Sequence, residues 1–206
     1  METSSIVLAG GRSARLGHDK VSITIGNRNL LDLVLNWMAS LSQEVILVTA
    51  GEQRLPELNK RAKVKIVADI YPNKGPLGGI YTGLVASASF YNLVVASDMP
   101  FLNPALLRYM LQVSANFDIV VPRTGNLVEP LHAIYSKNCL SPMEPMLKQN
   151  ELAISQLFPK VKTRYVENEE IERFDPNHLS FFNINTRADW LKAEKIAKDI
   201  GCYDKR

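Results

Sequence analysis

The sequence predicts a doubly wound α/β fold, a mostly parallel β-sheet with helices on both faces. Three observations carry that expectation. Residues 5–9, 44–49, 64–68, 92–97 and 118–122 are short β-rich runs without the alternation of a half-solvated strand, as expected of strands covered on both faces. Segments with the 3.6-residue period of a helix separate them. Strand-like and helix-like segments take turns along the chain, the order that builds parallel sheets from crossover units.

The first strand, residues 5–9, runs into a glycine-rich stretch. Leu30, Val34, Trp37, Met38 and Leu41 then recur at helical spacing and predict the first crossover helix. Strands at 44–49 and 64–68 follow, and Ile80, Leu84 and Ala88 predict a second helix opening at about Ile80. After the strand at 92–97, Asn103 can cap a helix whose first position is Pro104. Residues 123–180 are less regular: a strand around 131–135, a helix around 142–148, a loop-rich stretch with Pro159 and a strand at 163–166. Phe181 and Phe182 lead into a short strand on which Asn183 and Asn185 share one face and Ile184 the other. Thr186-Arg187-Ala188-Asp189 resembles a capping box before a closing helix that buries Trp190, Ala193, Ala197 and Ile200. Without repeat or linker, the expectation is one domain over residues 1–206.

Composition narrows the function. With 46% hydrophobic and 22% charged residues, the chain is of ordinary globular make-up. A net charge of +3 without runs of Lys or Arg argues against nucleic acid and for small anionic ligands. Cys139 and Cys202 stand far apart without zinc or disulfide-framework spacing. The apolar run Ile6-Val7-Leu8-Ala9 is too short for a signal-peptide core or a membrane span, so a cytoplasmic protein without a membrane partner is expected.

The chemistry concentrates in Leu8-Ala9-Gly10-Gly11-Arg12-Ser13-Ala14-Arg15-Leu16-Gly17-His18-Asp19-Lys20, directly after the first strand. Glycines let backbone N–H groups approach an anion, and Arg12, Arg15 and Lys20 supply charge for a triphosphate. A solvated turn with basic residues for solubility is the plainer alternative. The stretch is neither a dinucleotide-binding GxGxxG nor a P-loop. Asp98 ends an apolar strand, where a carboxylate in a doubly wound sheet lines the ligand crevice and can hold Mg²⁺; a turn or cap aspartate is the alternative. The stretch 75–79, which includes Gly78, offers a helix N-terminus to an anion or serves as a plain turn. Asp69 can accept from a base or ribose, or start a turn. His18, His132 and His178 lack metal spacing and receive no catalytic role.

The loop LAGGxSxRxGxDK resembles the signature of nucleotidyltransferases with a Rossmann-like sheet, and among them the molybdenum cofactor guanylyltransferases most. Cytidylyltransferase relatives usually read LAAG, which makes Gly10 the discriminating residue. Asp69 with Gly75-Pro76-Leu77-Gly78-Gly79, then Ser97-Asp98-Met99-Pro100, Glu129-Pro130-Leu131-His132-Ala133-Ile134-Tyr135 and Phe182-Asn183-Ile184-Asn185-Thr186 extend the resemblance in order, over positions 8 to 186.

The resemblance implies transfer of GMP from GTP to a phosphate of molybdopterin, with pyrophosphate leaving. It assigns Arg15 and Lys20 to the triphosphate, Asp98 to Mg²⁺, and Leu8, Ala9, Gly10, Gly11, Asp69 and Gly78 to the nucleotide. Asn183 and Asn185 fall to the acceptor. Molybdoenzymes or other cofactor-biosynthesis proteins are the further partners it suggests. One departure stands out: the family often presents an asparagine after its second strand, and this chain has Val48-Thr49-Ala50. A cytidylyltransferase, another nucleotidyltransferase for a small phosphorylated acceptor, and a catalytically silent nucleotide-binding adaptor are the rival readings.

Overall fold

The computed structural model describes residues 2–9, 23–51 and 63–201. In chain order the elements are β1 (Thr3–Leu8), β2 (Thr24–Ile25), β3 (Arg28–Asn29), α1 (Leu30–Leu41), β4 (Glu44–Thr49), β5 (Val64–Ala68), α2 (Gly75–Ala86), β6 (Tyr91–Ala96), α3 (Pro104–Gln112), β7 (Ile119–Thr124), β8 (Leu127–Val128), β9 (His132–Ser136), α4 (Leu140–Lys148), β10 (Thr163–Val166), α5 (Asn168–Ile171) and α6 (Arg187–Asp199). No helix among the described residues is long and apolar enough to cross a membrane.

The main sheet runs β10-β7-β9-β6-β1-β4-β5, with β8 attached to β7. β1 pairs in parallel with β4 and β6, β4 with β5, and β7 with β10. β9 runs antiparallel between β6 and β7, and β8 pairs antiparallel with β7. From β1 the chain steps outward through β4 to β5 and then returns to the other side of β1 at β6. That reversal is a topological switch point, and it opens a crevice beyond the carboxyl ends of the strands.

Alternate residues of each inner strand feed opposite layers, as the two-residue repeat of a strand requires. Val7, Leu47 and Val95 pack with Val34 and Met38 of α1 and Leu106 and Met110 of α3. Ile6, Ile46 and Val94 pack with Leu77, Ile80 and Leu84 of α2 and Met143 and Met146 of α4. Burial from both sides is why these strands read as unbroken apolar runs. The predicted caps form: Asn103 Oδ1 accepts from the Ala105 and Leu106 amides at 2.9 and 3.1 Å, and Thr186 and Asp189 close a reciprocal capping box.

Four expectations are corrected. β5 is not covered on both faces: it lies at the end of the described sheet, with Lys65, Ile66 and Ala68 exposed. α2 begins at Gly75 rather than near Ile80 and ends before Ala88, which is exposed. The glycines do not delay the helix; they let it lie almost against β1. A Cβ on Gly79 would stand 3.1 Å from Leu8 Cδ2, and one on Gly83 only 2.4 Å from Ile6 Cγ2. On α6, Ala193 and Ala197 are buried as expected, whereas Trp190 is half-buried and Ile200, past the helix end, is 48% exposed. Asn183 and Asn185 lie on irregular backbone outside any strand.

Gly83→Ala tests the close approach. In an open helix this change stabilises by about 1 kcal/mol. Here the added methyl meets Ile6, and overpacking of this kind costs roughly 1–3 kcal/mol. The expected net result is a thermal midpoint lower by a few degrees; a midpoint that rises would show that α2 can lift off the sheet freely.

Candidate active site

Backbone hydrogen bonds continue the sheet past the ends of its strands and set the rim of the crevice. The Asp69 amide donates to the Thr49 carbonyl at 2.8 Å, Ala9 to Val48 at 2.9 Å and Ser97 to Leu8 at 3.1 Å. The Ala96 amide donates to Leu131 at 3.1 Å, which brings the entry to β9 onto the same rim. Asp69, Leu8, Ala9 and Asp98 are therefore brought together along one edge. Gly10, Gly11, Arg12, Arg15 and Lys20 lie outside the described residues; the segment that carries them leaves from Ala9 and re-enters at Ile23.

Asp69 fastens the turn into α2. Its Oδ1 accepts from the Tyr71 amide at 2.9 Å, an Asx turn, and from the Thr82 hydroxyl at 2.8 Å. Thr82 Oγ1 in turn accepts from the Ile70 amide at 3.1 Å. Gly78 lies directly beneath: a Cβ there would stand 2.8 Å from the Tyr71 carbonyl and 3.3 Å from Asp69 Oδ2. Asp69 and Gly78 thus meet. Thr82 is a residue that sequence reasoning missed, and its only signal was an isolated hydroxyl on the apolar face of a helix.

Asp98 is half-buried in the turn that follows β6. It is not the cap of the next helix, because Asn103 has that role. Its carbonyl accepts from the Ile184 amide at 3.0 Å, so the segment 183–185 crosses the rim beside it. This single bond takes the place of the expected strand pairing. Ile184 is buried as expected, but the two amides differ: Asn183 is half-buried with Nδ2 donating to the Phe181 carbonyl at 3.0 Å, and Asn185 is exposed. At the end of β4, where the family pattern often has an asparagine, Thr49 is 2% exposed and donates its hydroxyl to the Gly51 carbonyl at 2.9 Å.

Beyond Asp98 the rim continues with Glu129 and His132. Burial raises the Glu129 pKa. His132 is fully buried edge-on to Phe181, with ring centroids 5.2 Å apart, and among the described residues neither ring nitrogen has a hydrogen-bond partner. Farther along, Arg123 at the end of β7 bonds Glu167 at the end of β10 and stacks on Tyr165 at 4.2 Å. The rim therefore pairs an acidic, glycine-lined half with a half of mixed polarity.

Residues 5–161 match the family described as the MobA-like NTP transferase domain. The chain is 34% identical over 199 residues to a protein of Pelotomaculum thermopropionicum named probable molybdenum cofactor guanylyltransferase, covering 97% of this chain and 95% of that one. A protein of Syntrophotalea carbinolica named molybdenum cofactor guanylyltransferase is 32% identical over 202 residues, covering 97% and 94%. A crystal structure of molybdopterin-guanine dinucleotide biosynthesis protein A from Archaeoglobus fulgidus is similar with a TM-score of 0.83 at 27% identity, covering 95% of this chain and 99% of that chain.

The buried imidazole gives the rim a pH dependence. Burial pulls the His132 pKa from 6.5 to about 4, against a smaller opposing pull from Asp175. The folded protein keeps the ring neutral where the unfolded chain takes up a proton. Stability is therefore fully present above pH 6.5 and is lost as pH falls towards 4, with a loss on the order of 1 kcal/mol by pH 5.5. Glu170 belongs to a separate window: although burial pushes its pKa up, hydrogen bonds from Arg164 and Tyr109 hold it at about 2, so its loss begins only below 4.5. Thermal midpoints of His132→Met should accordingly depend less on pH between 6.5 and 5 than those of the wild type. Parallel curves would remove His132 as the cause.

Proposed function

The chain belongs to the family of MobA-like NTP transferase domains, and on that premise we infer that it transfers GMP from GTP to molybdopterin, releasing pyrophosphate. What carries the reading is the likeness, over nearly the whole chain, to relatives named molybdenum cofactor guanylyltransferase. The rim of strand ends supplies a place for the reaction.

An oxygen of the molybdopterin phosphate attacks the α-phosphorus of GTP. A new phosphoanhydride bond forms there, the bond from that phosphorus to the α–β bridging oxygen breaks, and pyrophosphate leaves with the electron pair. No covalent enzyme intermediate is needed, so the protein contributes position and charge. In this reading Arg15 and Lys20 hold the triphosphate, while Leu8, Ala9, Gly10, Gly11, Asp69 and Gly78 form the nucleotide side. Asn183 and Asn185, tied to Asp98 through Ile184, form the acceptor side. With the Thr49 hydroxyl turned inward onto Gly51, guanine recognition rests on the glycine loop and the Asp69 turn.

Mg²⁺ fits the residues present. Asp98 offers a hard carboxylate at the rim, and the described residues hold no cluster of three or more His, Cys, Asp or Glu that would make a closed cage. Mg²⁺ commonly takes one or two protein carboxylates and completes its shell with phosphate oxygens and water. Bound by Asp98, it would neutralise charge that develops on the phosphates. We place the reaction in the cytoplasm, with molybdoenzymes or other cofactor-biosynthesis proteins receiving the product.

Incubation with molybdopterin, Mg²⁺ and GTP, CTP, ATP or UTP in turn, with the dinucleotide identified by mass, tests reaction and selectivity together. A guanine dinucleotide is expected, and a product from CTP alone would replace the reading with its cytidylyl rival. Asp98→Asn should keep the fold and lower kcat roughly a hundredfold, because a neutral amide is a poor magnesium ligand; near wild-type turnover at limiting Mg²⁺ rules out the assignment. Gly10→Ala should lower kcat/KM for GTP by roughly ten- to two-hundredfold, through one methyl group crowding a purine, and for CTP by less. Equal losses would show that Gly10 serves loop geometry alone.

A further inference from the structure

The turn that leads from β8 into β9 has its backbone bonded at every residue. The Glu129 amide donates to the Pro122 carbonyl at 3.1 Å, and the Glu129 carbonyl accepts from the His132 amide at 3.0 Å. The hydroxyl of the fully buried Tyr135 donates to the Pro130 carbonyl at 2.8 Å, and the Leu131 carbonyl accepts from the Ala96 amide at 3.1 Å. The turn is thereby tied to β7, β9 and β6 at once. The Glu129 carboxylate is the exception. It is half-buried, burial alone raises its pKa, and no described residue offers it a hydrogen bond or an ion pair. Other charged groups at that side of the sheet are paired, Arg123 with Glu167 and Arg164 with Glu170. A carboxylate that gives up hydration without a partner costs stability. Held in place by a fixed backbone, it is a group waiting for donors that a ligand supplies.

Position along the rim decides which ligand that is. Strand ends follow the order of the sheet, with Asp69 past β5, Asp98 past β6 and Glu129 between β9 and β7. Strands stand about 4.8 Å apart, so Asp69 lies three spacings, about 14 Å, to one side of Asp98, and Glu129 one to two, about 5–10 Å, to the other. A nucleotide with its base at the Asp69 turn and its α-phosphate at Asp98 keeps its base away from Glu129, and its anionic pyrophosphate is repelled by a free carboxylate. The acceptor is what extends over this half. Its pterin carries a ring N–H beside an amino group, two parallel donors that match the two oxygens of one carboxylate. We propose that Glu129 binds the pterin ring of the acceptor through this edge and selects acceptors that carry a 2-amino-4-oxopyrimidine. The proposal rests on the functional reading above. Guanine has the same edge, and the place of Glu129 on the rim assigns it to the pterin. Glu129 stands clear of the reacting phosphates, so its part is recognition.

The test compares the wild type with Glu129→Gln and Glu129→Ala. KM for GTP and for molybdopterin, the Mg²⁺ requirement and thermal midpoints are measured for each. In parallel, 6-hydroxymethylpterin and 6-hydroxymethyllumazine, which has an oxygen in place of the amino group, are titrated by their fluorescence. Both variants should raise KM for molybdopterin roughly ten- to hundredfold, the weight of a charge-assisted pair, with KM for GTP and the Mg²⁺ requirement as in the wild type. The wild type should bind the pterin more tightly than the lumazine, and Glu129→Gln should lose that preference. Its thermal midpoint should hold or rise, because an unpaired half-buried charge is gone. An equal rise in KM for GTP would give Glu129 to guanine, and a higher Mg²⁺ requirement would make it a metal carboxylate; either result overturns the proposal. Lower midpoints with an unchanged KM for molybdopterin would leave only a structural role and overturn it as well. A wild-type protein that makes no dinucleotide overturns the functional reading, and the pterin titration then still decides Glu129. Normal wild-type turnover with variants indifferent to molybdopterin overturns the Glu129 assignment alone.

Discussion

α2 rests its glycines on the side chains of the central strand, and the geometry of the rim depends on that contact. With no Cβ at Gly79 and Gly83, the helix backbone sits within van der Waals reach of Leu8 and Ile6. That proximity brings Thr82 far enough inward to bond both Asp69 and the Ile70 amide. Had the helix stood off by one methyl group, the Asp69 turn would lose its anchor and the edge that runs from β5 to β6 would lose one end. Low helix propensity at Gly78, Gly79 and Gly83 is thus outweighed by what their absent side chains permit.

The fold was legible because burial on both faces leaves a mark in every inner strand. Residues 45–48 and 93–96 are apolar throughout, and the predicted limits 44–49 and 92–97 lie within a residue or so of β4 and β6. The failures have a common physical origin in tertiary contacts that local pattern does not encode. The run 64–68 looks like an inner strand but ends the described sheet. The glycines of 75–79 look like a turn but are the first turn of a helix. Asn183 and Asn185 alternate as a strand would, yet one backbone bond to Asp98 holds the segment. The hairpin at residues 24–29 went unread, although Gly-Asn between short extended stretches is a known hairpin signal, because two-residue strands carry almost no periodicity.

The residues named for chemistry divide in the same way. Asp69, Gly78, Leu8, Ala9 and Asp98 share one rim because the sheet's connectivity delivers strand ends there, and that much follows from the order of elements alone. Thr82, which holds Asp69 from thirteen residues along the chain, gives only the weak signal of a lone hydroxyl on an apolar helix face, and Trp190 and Glu194 reach the β2–β3 hairpin across 166 and 168 residues. A carboxylate at the end of a strand, such as Asp69, is visible in a sequence; the Thr82 hydroxyl that holds it is not.

The bond between Trp190 and Thr24 spans 166 residues. A chain emerging from the ribosome makes β2 and β3 early and their anchor near the end, after every strand of the main sheet has been synthesised. Contacts this distant in sequence close slowly. The sheet can therefore assemble on a nascent chain while the hairpin remains unfastened.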